Sequence, residues 1–179
     1  MNAFAISTKK KIILDFLLVP FALIFLISFA KIQIPLFFTP IPLTLQNSIA
    51  VFYGLYFKSK KASIILFLFL LLGAFNMPVF AYGNSGINYL CSISGGYLFG
   101  YLISAYLIGK FSELKIIKNH SLLMLLGHFI ILFTGFLYFS TFVGLKKGFL
   151  LGFLPFIFGD IIKTIIISKI YKRLSSVFW

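Results

Sequence analysis

Cysteine and acidic side chains are almost absent from this chain of 179 residues. Cys91 is its only cysteine, which excludes an intramolecular disulfide and a metal site built from several thiolates. Aspartate and glutamate number 3 against 16 lysines and arginines, and charged residues make up 11% of the chain. A soluble domain carries roughly 25% charged residues. Water is therefore not the main solvent of this protein.

Charge of either sign is missing from one long segment. Residues 62–109 contain no Asp, Glu, Lys, Arg or His over 48 positions. That is about twice the ~20 residues that one helix needs to cross ~30 Å of hydrocarbon, so two crossings fit there. Because 61% of all residues are hydrophobic, the chain is predicted to be an all-α integral membrane protein.

Apolar runs bounded by charges or by proline and glycine predict six transmembrane helices in a single domain, residues 1–179. These spans lie near residues 12–30, 43–57, 62–75, 95–110, 120–143 and 148–172. A lysine cluster precedes the first run, as in a secretory signal, but no cleavage pattern follows it. The first run is therefore predicted to be a retained helix.

Basic residues are divided unequally between the two sides of the predicted bundle. With a cytoplasmic N-terminus, 12 of them lie on the inner side and Lys31, Lys146 and Lys147 on the outer side. The positive-inside rule then places both termini in the cytoplasm. The same residues form short clusters between apolar runs, which argues against nucleic-acid binding despite the net charge of +13.

The last predicted helix carries an acid and a base at membrane depth. Asp160 lies ~18 Å into the span by helical rise, and Lys163 shares its helix face. A charge there costs ~3 kcal/mol, so the pair is expected to face the bundle interior, where ligand binding is favoured over a structural ion pair or a snorkelling lysine. Pro155 removes the hydrogen bond to the Leu151 carbonyl and is expected to kink the helix and make room for a ligand.

Two predicted external loops are suited to cover such a ligand. Residues 31–44 hold three prolines that stiffen an apolar segment, and residues 75–94 combine aromatic side chains with Asn84, Ser85 and Asn88 without any charge. A neutral, hydrogen-bonding small molecule fits a lining of this kind.

Catalytic and metal sites have no support in the sequence. His120 and His128 lack a carboxylate or cysteine at ligand spacing, which favours interfacial or satisfied core histidines. No nucleophile has an evident general base, and the glycine-rich run at 94–100 lacks the Walker lysine. The small-residue pairs Gly96/Gly100 and Gly148/Gly152 favour packing inside one bundle over dimerisation. Neither an enzyme nor a cofactor is predicted.

Six segments spread over the chain carry a resemblance to a known family. They are Ile34-Pro35, Thr39-Pro40-Ile41-Pro42-Leu43-Thr44-Leu45-Gln46, Leu71-Leu72-Gly73-Ala74-Phe75, Met77-Pro78-Val79-Phe80, Ser94-Gly95-Gly96-Tyr97 and Gly159-Asp160-Ile161-Ile162-Lys163. From about residue 20 to residue 170 the chain thus resembles the BioY family, the biotin-binding S components of energy-coupling-factor (ECF) transporters. The resemblance implies a six-helix S-component bundle with ordered external loops in a bacterial cytoplasmic membrane. It also implies biotin as the transported ligand, passed inward with a module of one transmembrane scaffold protein and two ATPases.

The resemblance also implies a set of ligand residues. The family's binding positions fall on Asp160, Lys163, Thr44, Gln46 and Tyr97, while Asn84 and Ser85 are included because they lie in the region of the family's external loop. Biotin offers ureido N–H donors for the acid, and a carbonyl and a carboxylate for the lysine.

One departure from the family lies on the first helix, where small residues dock S components onto the scaffold. Only Ala22 and Ala30 remain of that pattern, with Leu26 between them. Two alternatives to a biotin-binding subunit stay open at this point. One is a self-sufficient carrier in which Asp160 titrates, and the other is a membrane enzyme, for which the sequence offers no machinery.

Overall fold

The computed structural model describes residues 17–178, so the first five residues of the first predicted span lie outside the described part. The helices are α1 Leu17–Ala30, α2 Gln46–Ala74, α3 Ile87–Leu90, α4 Gly95–Glu113, α5 His120–Val143, α6 Leu145–Gly152 and α7 Leu154–Phe178. Strands β1 Gln33–Leu36 and β2 Thr39–Thr44 and a 3-10 turn, Ala81–Gly83, complete the described elements.

Helix α2 reverses direction at Lys58, whose φ of 65° is not helical. Its first arm, residues 46–57, starts beside Tyr97 at the beginning of α4, and the reversal lies at the end of α4, against Glu113. The second arm, residues 59–74, returns to the starting side, where the Gly86 N–H donates to the Gly73 carbonyl at 2.7 Å. The two arms are the second and third predicted spans, so the six-helix prediction is confirmed for the described residues.

Glu113 stabilises the reversal of α2 at Lys58, on the predicted inner side of the membrane. One of its carboxylate oxygens accepts from the Ser59 N–H and from the Ser59 hydroxyl, each at 2.8 Å. Burial by itself raises the pKa of Glu113, but these bonds and the charges of Lys110 and Lys58 bring it below the ordinary value. Glu113 thus caps the second arm of α2, because the first N–H groups of a helix have no helical partner and the Ser59 N–H is one of them.

The surface of the bundle is apolar on its long helices, and the interior contains buried polar side chains among a larger number of apolar ones. Phe21, Phe67, Phe129 and Phe158 are examples of exposed aromatic residues. By length and composition, His120–Val143 and Leu145–Leu174 each suit a membrane crossing, and only 28% of the apolar window in the second is buried within the protein. Such outward-facing apolar area belongs in hydrocarbon, where it has no cost.

Residues 33–44 form a β-hairpin that the sequence did not predict. Gln33 pairs with Thr44 and Leu36 with Thr39, in antiparallel register with an irregularity between them. The predicted start of the second span at residue 43 was wrong, because β2 extends to Thr44 and the helix begins at Gln46. Three prolines are tolerated here because alternate N–H groups of each strand in a two-stranded ribbon face away from the partner, and a proline at such a position removes no ladder bond.

Small residues bring helices of the same bundle together, as predicted. A Cβ on Gly96 or Gly100 would meet Thr134 of α5, and one on Gly148 would meet Ser140. Ala22 and Ala30 of α1 are buried too, and the Tyr53 hydroxyl donates to the Ala22 carbonyl at 2.8 Å. Both alanines therefore face the interior of this bundle rather than its surface.

Candidate functional site

A break between α6 and α7 shapes one wall of the site. The helix is interrupted at Phe153 (φ −122°, ψ −61°), two residues before Pro155, and the Phe156 N–H donates to the Phe153 carbonyl at 3.2 Å. The Gly152 carbonyl thereby loses its helical donor, and the Tyr97 hydroxyl donates to it at 2.6 Å instead. The predicted kink is present, and it fixes the orientation of Tyr97.

A cavity opens beside this break, between β2, the first arm of α2, α4, α5 and α7. Together with the open space that adjoins it, it occupies about 550 Å³. Its polar lining consists of Thr44, Gln46, Asn47, Tyr89, Ser94, Tyr97, Tyr101 and Lys163, and its apolar lining of Ile41, Pro42, Ala81, Leu98, Ile131, Leu132 and Phe156. Aromatic faces and a few hydrogen-bonding groups thus surround the space.

Asp160 and Lys163 form an ion pair at the base of the cavity, with exposed fractions of 2% and 6%. The prediction that the pair faces the interior is confirmed. Lys163 Nζ also donates to the Thr44 carbonyl at 3.1 Å and to Asn47 Oδ1 at 3.0 Å. Charges removed from water need such additional hydrogen bonds to offset desolvation, and here the end of β2 and the first arm of α2 supply them.

Asn47 is the residue that joins the two charges to α2. Its Oδ1 accepts from Lys163 and, at 2.9 Å, from the Ser48 N–H, while its Nδ2 donates to Asp160 Oδ1 at 2.9 Å. Because both neighbours of one amide atom can only donate and the neighbour of the other can only accept, the amide has a single satisfactory orientation. Asn47 therefore holds the acid and the base in one fixed arrangement.

Two buried polar atoms at this site have no hydrogen-bond partner among the described residues. They are Asp160 Oδ2, an acceptor, and Gln46 Nε2, a donor. A buried polar atom without a partner costs ~1–3 kcal/mol. An acceptor and a donor that both lack partners at a cavity are suited to a ligand that presents a donor and an acceptor of its own.

Most of the predicted site residues come together at this cavity. Thr44, Gln46, Tyr97 and Lys163 line it, and Asp160 lies behind Lys163. Asn84 and Ser85 are not among the lining residues of the described structure. The Asn84 side chain is exposed and donates to the Ala81 carbonyl at 2.8 Å, so its role as a ligand residue stays a prediction without contact support.

Sequence reasoning missed Asn47, Tyr89 and Tyr101. Tyr89 and Tyr101 belong to a chain rich in tyrosine and phenylalanine, so no pattern distinguished them from lipid-facing aromatics. Asn47 did carry a signal, since it directly follows Gln46 at the start of an apolar run where a neutral amide is unusual. Its position next to a predicted ligand residue therefore indicated a place at the site.

Gly135 leaves the space that the Tyr97 ring fills, because a Cβ at this position would overlap the ring. We expect Gly135→Ala to destabilise the protein by ~1–3 kcal/mol, as overpacking does, and to displace Tyr97 from the cavity wall. Unfolding of the purified protein in detergent measures the effect. In Gly159→Ala, the matched control, the added Cβ meets only the flexible end of Leu43 at 2.9 Å. That variant is expected to keep or gain stability, and equal losses in both would contradict the steric argument.

Comparisons with known proteins agree on one family. A family model described as the BioY family matches residues 4–178. The chain is 36% identical over 152 residues to the "Biotin transporter BioY" of Thermotoga maritima, covering 81% of this chain and 86% of that protein. It is 34% identical over 142 residues to the "Probable biotin transporter BioY" of Pyrococcus horikoshii, covering 79% and 85%. The crystal structure of an S-component for biotin from an ECF-type ABC transporter superposes with a TM-score of 0.81 at 28% identity, over 93% of each chain.

Proposed function

Because the chain belongs to the BioY family, we propose that it is the membrane-embedded, high-affinity biotin-binding subunit of a vitamin uptake transporter. It is a transport component and not an enzyme. The observation that carries the proposal is the unpartnered acceptor and donor, Asp160 Oδ2 and Gln46 Nε2, buried beside a cavity with aromatic walls. The self-sufficient carrier and the membrane enzyme have no comparable observation in their favour.

Biotin matches the chemistry of this cavity group by group. A ureido N–H can donate to Asp160 Oδ2, and the ureido carbonyl can accept from Gln46 Nε2 or from Lys163, which lines the cavity in front of the acid. The apolar bicycle suits the faces of Tyr97 and Phe156. Each of the two unpartnered atoms gains a hydrogen bond in such a complex. The bond to the Asp160 carboxylate is charge-assisted and therefore the stronger of the two.

The structural match to an S-component supports a partner module that couples uptake to energy. We propose that this module consists of a transmembrane scaffold subunit and two ATPase subunits in a bacterial cytoplasmic membrane. Since Ala22 and Ala30 are buried against the bundle, docking to the scaffold is proposed to use other residues of the surface. Thr44, Gln46, Asp160 and Lys163 are proposed as the central biotin ligands, with Tyr97 in the wall, and Asn84 and Ser85 as peripheral ones.

Calorimetric titration of biotin into the protein purified in detergent tests the function directly. We expect saturable binding at one molecule of biotin per chain, because Thr44, Gln46, Tyr97 and Lys163 line the same cavity. A biotin analogue in which the ureido ring is opened by loss of its carbonyl serves as the control. It is expected not to bind, since it lacks the carbonyl acceptor between the two N–H donors. Absence of binding by biotin itself would contradict the proposal.

Reconstitution into proteoliposomes separates the proposal from the carrier alternative. The chain alone, with a pH gradient, is expected to accumulate no biotin, because an S-component depends on the ATP-driven module. Accumulation by the isolated chain under a pH gradient would favour the carrier instead.

A further inference from the structure

His128 of α5 lies outside the cavity lining, yet it connects three helices at the level of the ion pair. Its side chain is 1% exposed. One ring nitrogen, Nε2, lies 2.8 Å from the Ser48 hydroxyl of α2. The other, Nδ1, lies 3.0 Å from the Thr164 hydroxyl of α7 and 3.0 Å from the Met124 carbonyl of its own helix. A histidine this well partnered has one defined orientation.

The neighbours of His128 determine which nitrogen carries the proton in the neutral ring. The Met124 carbonyl can only accept. Thr164 donates its own hydroxyl proton to the Asp160 carbonyl at 2.7 Å, so it too is an acceptor towards the ring. Nδ1 therefore carries the proton, and Nε2 is the acceptor that receives the Ser48 hydroxyl proton.

This assignment controls where the Ser48 hydroxyl points. Two acceptors are within its reach, His128 Nε2 at 2.8 Å and Asn47 Oδ1 at 3.4 Å. Because the hydroxyl has one proton and the nitrogen is closer, His128 takes that proton. Asn47 Oδ1 is then left to accept from the Ser48 N–H and from Lys163.

Loss of the Nε2 acceptor has a defined consequence. The Ser48 hydroxyl would turn to Asn47 Oδ1, its remaining acceptor, and become a third donor to that oxygen. It would then compete with Lys163, whose other neutral acceptor is the Thr44 carbonyl. The Asn47 amide would no longer hold Lys163 and Asp160 in the fixed arrangement described above.

We propose that His128 is a positioning residue for the biotin site: by accepting the Ser48 hydroxyl proton, it reserves Asn47 for the Asp160–Lys163 pair. The inference rests on the proposed function, since biotin is the ligand whose binding reports the arrangement. His128 does not contact the ligand and acts through Ser48 and Asn47.

Two substitutions separate the two sides of the ring. In His128→Asn the amide occupies the position of Nδ1 and is too short to accept from Ser48, whereas in His128→Gln the amide oxygen reaches the position of Nε2. We expect His128→Asn to weaken biotin binding about three- to tenfold, as the loss of one net hydrogen bond does. His128→Gln is expected to bind as the wild type does. His120→Asn, the same change at the start of α5, is the matched control and is expected to leave affinity unchanged.

A second-site variant tests the competition itself. Ser48→Ala removes the competing hydroxyl, so the double variant His128→Asn/Ser48→Ala is expected to recover most of the lost affinity. A general packing defect would not be relieved by removing another buried group. Titration calorimetry measures affinity, and thermal unfolding without biotin reports folding of each variant.

Three outcomes would overturn the positioning role. They are wild-type affinity in His128→Asn, an equal loss in His128→Gln, and no recovery in the double variant. Each of these leaves the wild-type protein binding biotin, so the proposed function would stand. Failure of the wild-type protein to bind biotin would instead contradict the proposed function and this inference with it.

Discussion

Replacement of Asp160 by asparagine is expected to weaken biotin binding by more than tenfold, which corresponds to ~1.4 kcal/mol. The carboxylate oxygen Oδ2 is buried without a partner among the described residues. In asparagine an NH₂ group or a neutral carbonyl takes its place. Asn47 Nδ2 already donates to the other oxygen, so the new amide keeps its carbonyl towards Asn47 and turns its NH₂ group to the ligand. A ureido N–H would then meet a donor where it requires an acceptor.

Glu113→Gln is the matched control for this prediction, since Glu113 is the other acid in the described part of the chain and lies at the far end of α4. It is expected to leave biotin affinity unchanged. Calorimetric titration of both variants, with circular dichroism to verify helix content, gives the comparison. If Asp160→Asn bound biotin as tightly as the wild type does, Asp160 would not belong to the ligand-binding residues.

The sequence predicted the charged centre of the site because charge in a membrane is costly. Asp160 and Lys163 stood out at mid-span, and the ~3 kcal/mol penalty for an exposed charge there left the bundle interior as their place. The same energy term predicted the spans, since hydrocarbon requires long uncharged helices. Strong energetic constraints of this kind leave clear patterns in a single sequence.

The rest of the site depends on weaker or non-local effects. Asn47 matters through contacts with residues more than a hundred positions away, and a neutral amide carries no comparable penalty. The β-hairpin was hidden because proline argues against strands except at edges, and edges are known only once the pairing is known. The clash that makes Gly135 necessary arises from Tyr97 on another helix. Patterns along the chain do not contain such information.

Lys163→Met is expected to destabilise the protein by ~3–5 kcal/mol, the cost of breaking a buried ion pair by removing one partner. Asp160 would be left 2% exposed with Asn47 Nδ2 as its remaining side-chain donor. Equilibrium unfolding in mixed micelles measures the loss. Lys169→Met is the matched control, because Lys169 lies on the same helix but is exposed. It is expected to change stability little, as exposed charges usually do.

The double variant Asp160→Asn/Lys163→Met separates the two tasks of the pair. Removing both charges also removes their desolvation cost, so stability is expected to return close to that of the wild type. Biotin binding is expected to stay lost, because neither the carboxylate acceptor nor the ammonium donor is restored. A double variant as unstable as Lys163→Met would show that the pair stabilises the folded protein by more than the two charges' desolvation cost. A double variant that binds biotin would exclude the pair from recognition and leave it a purely structural role.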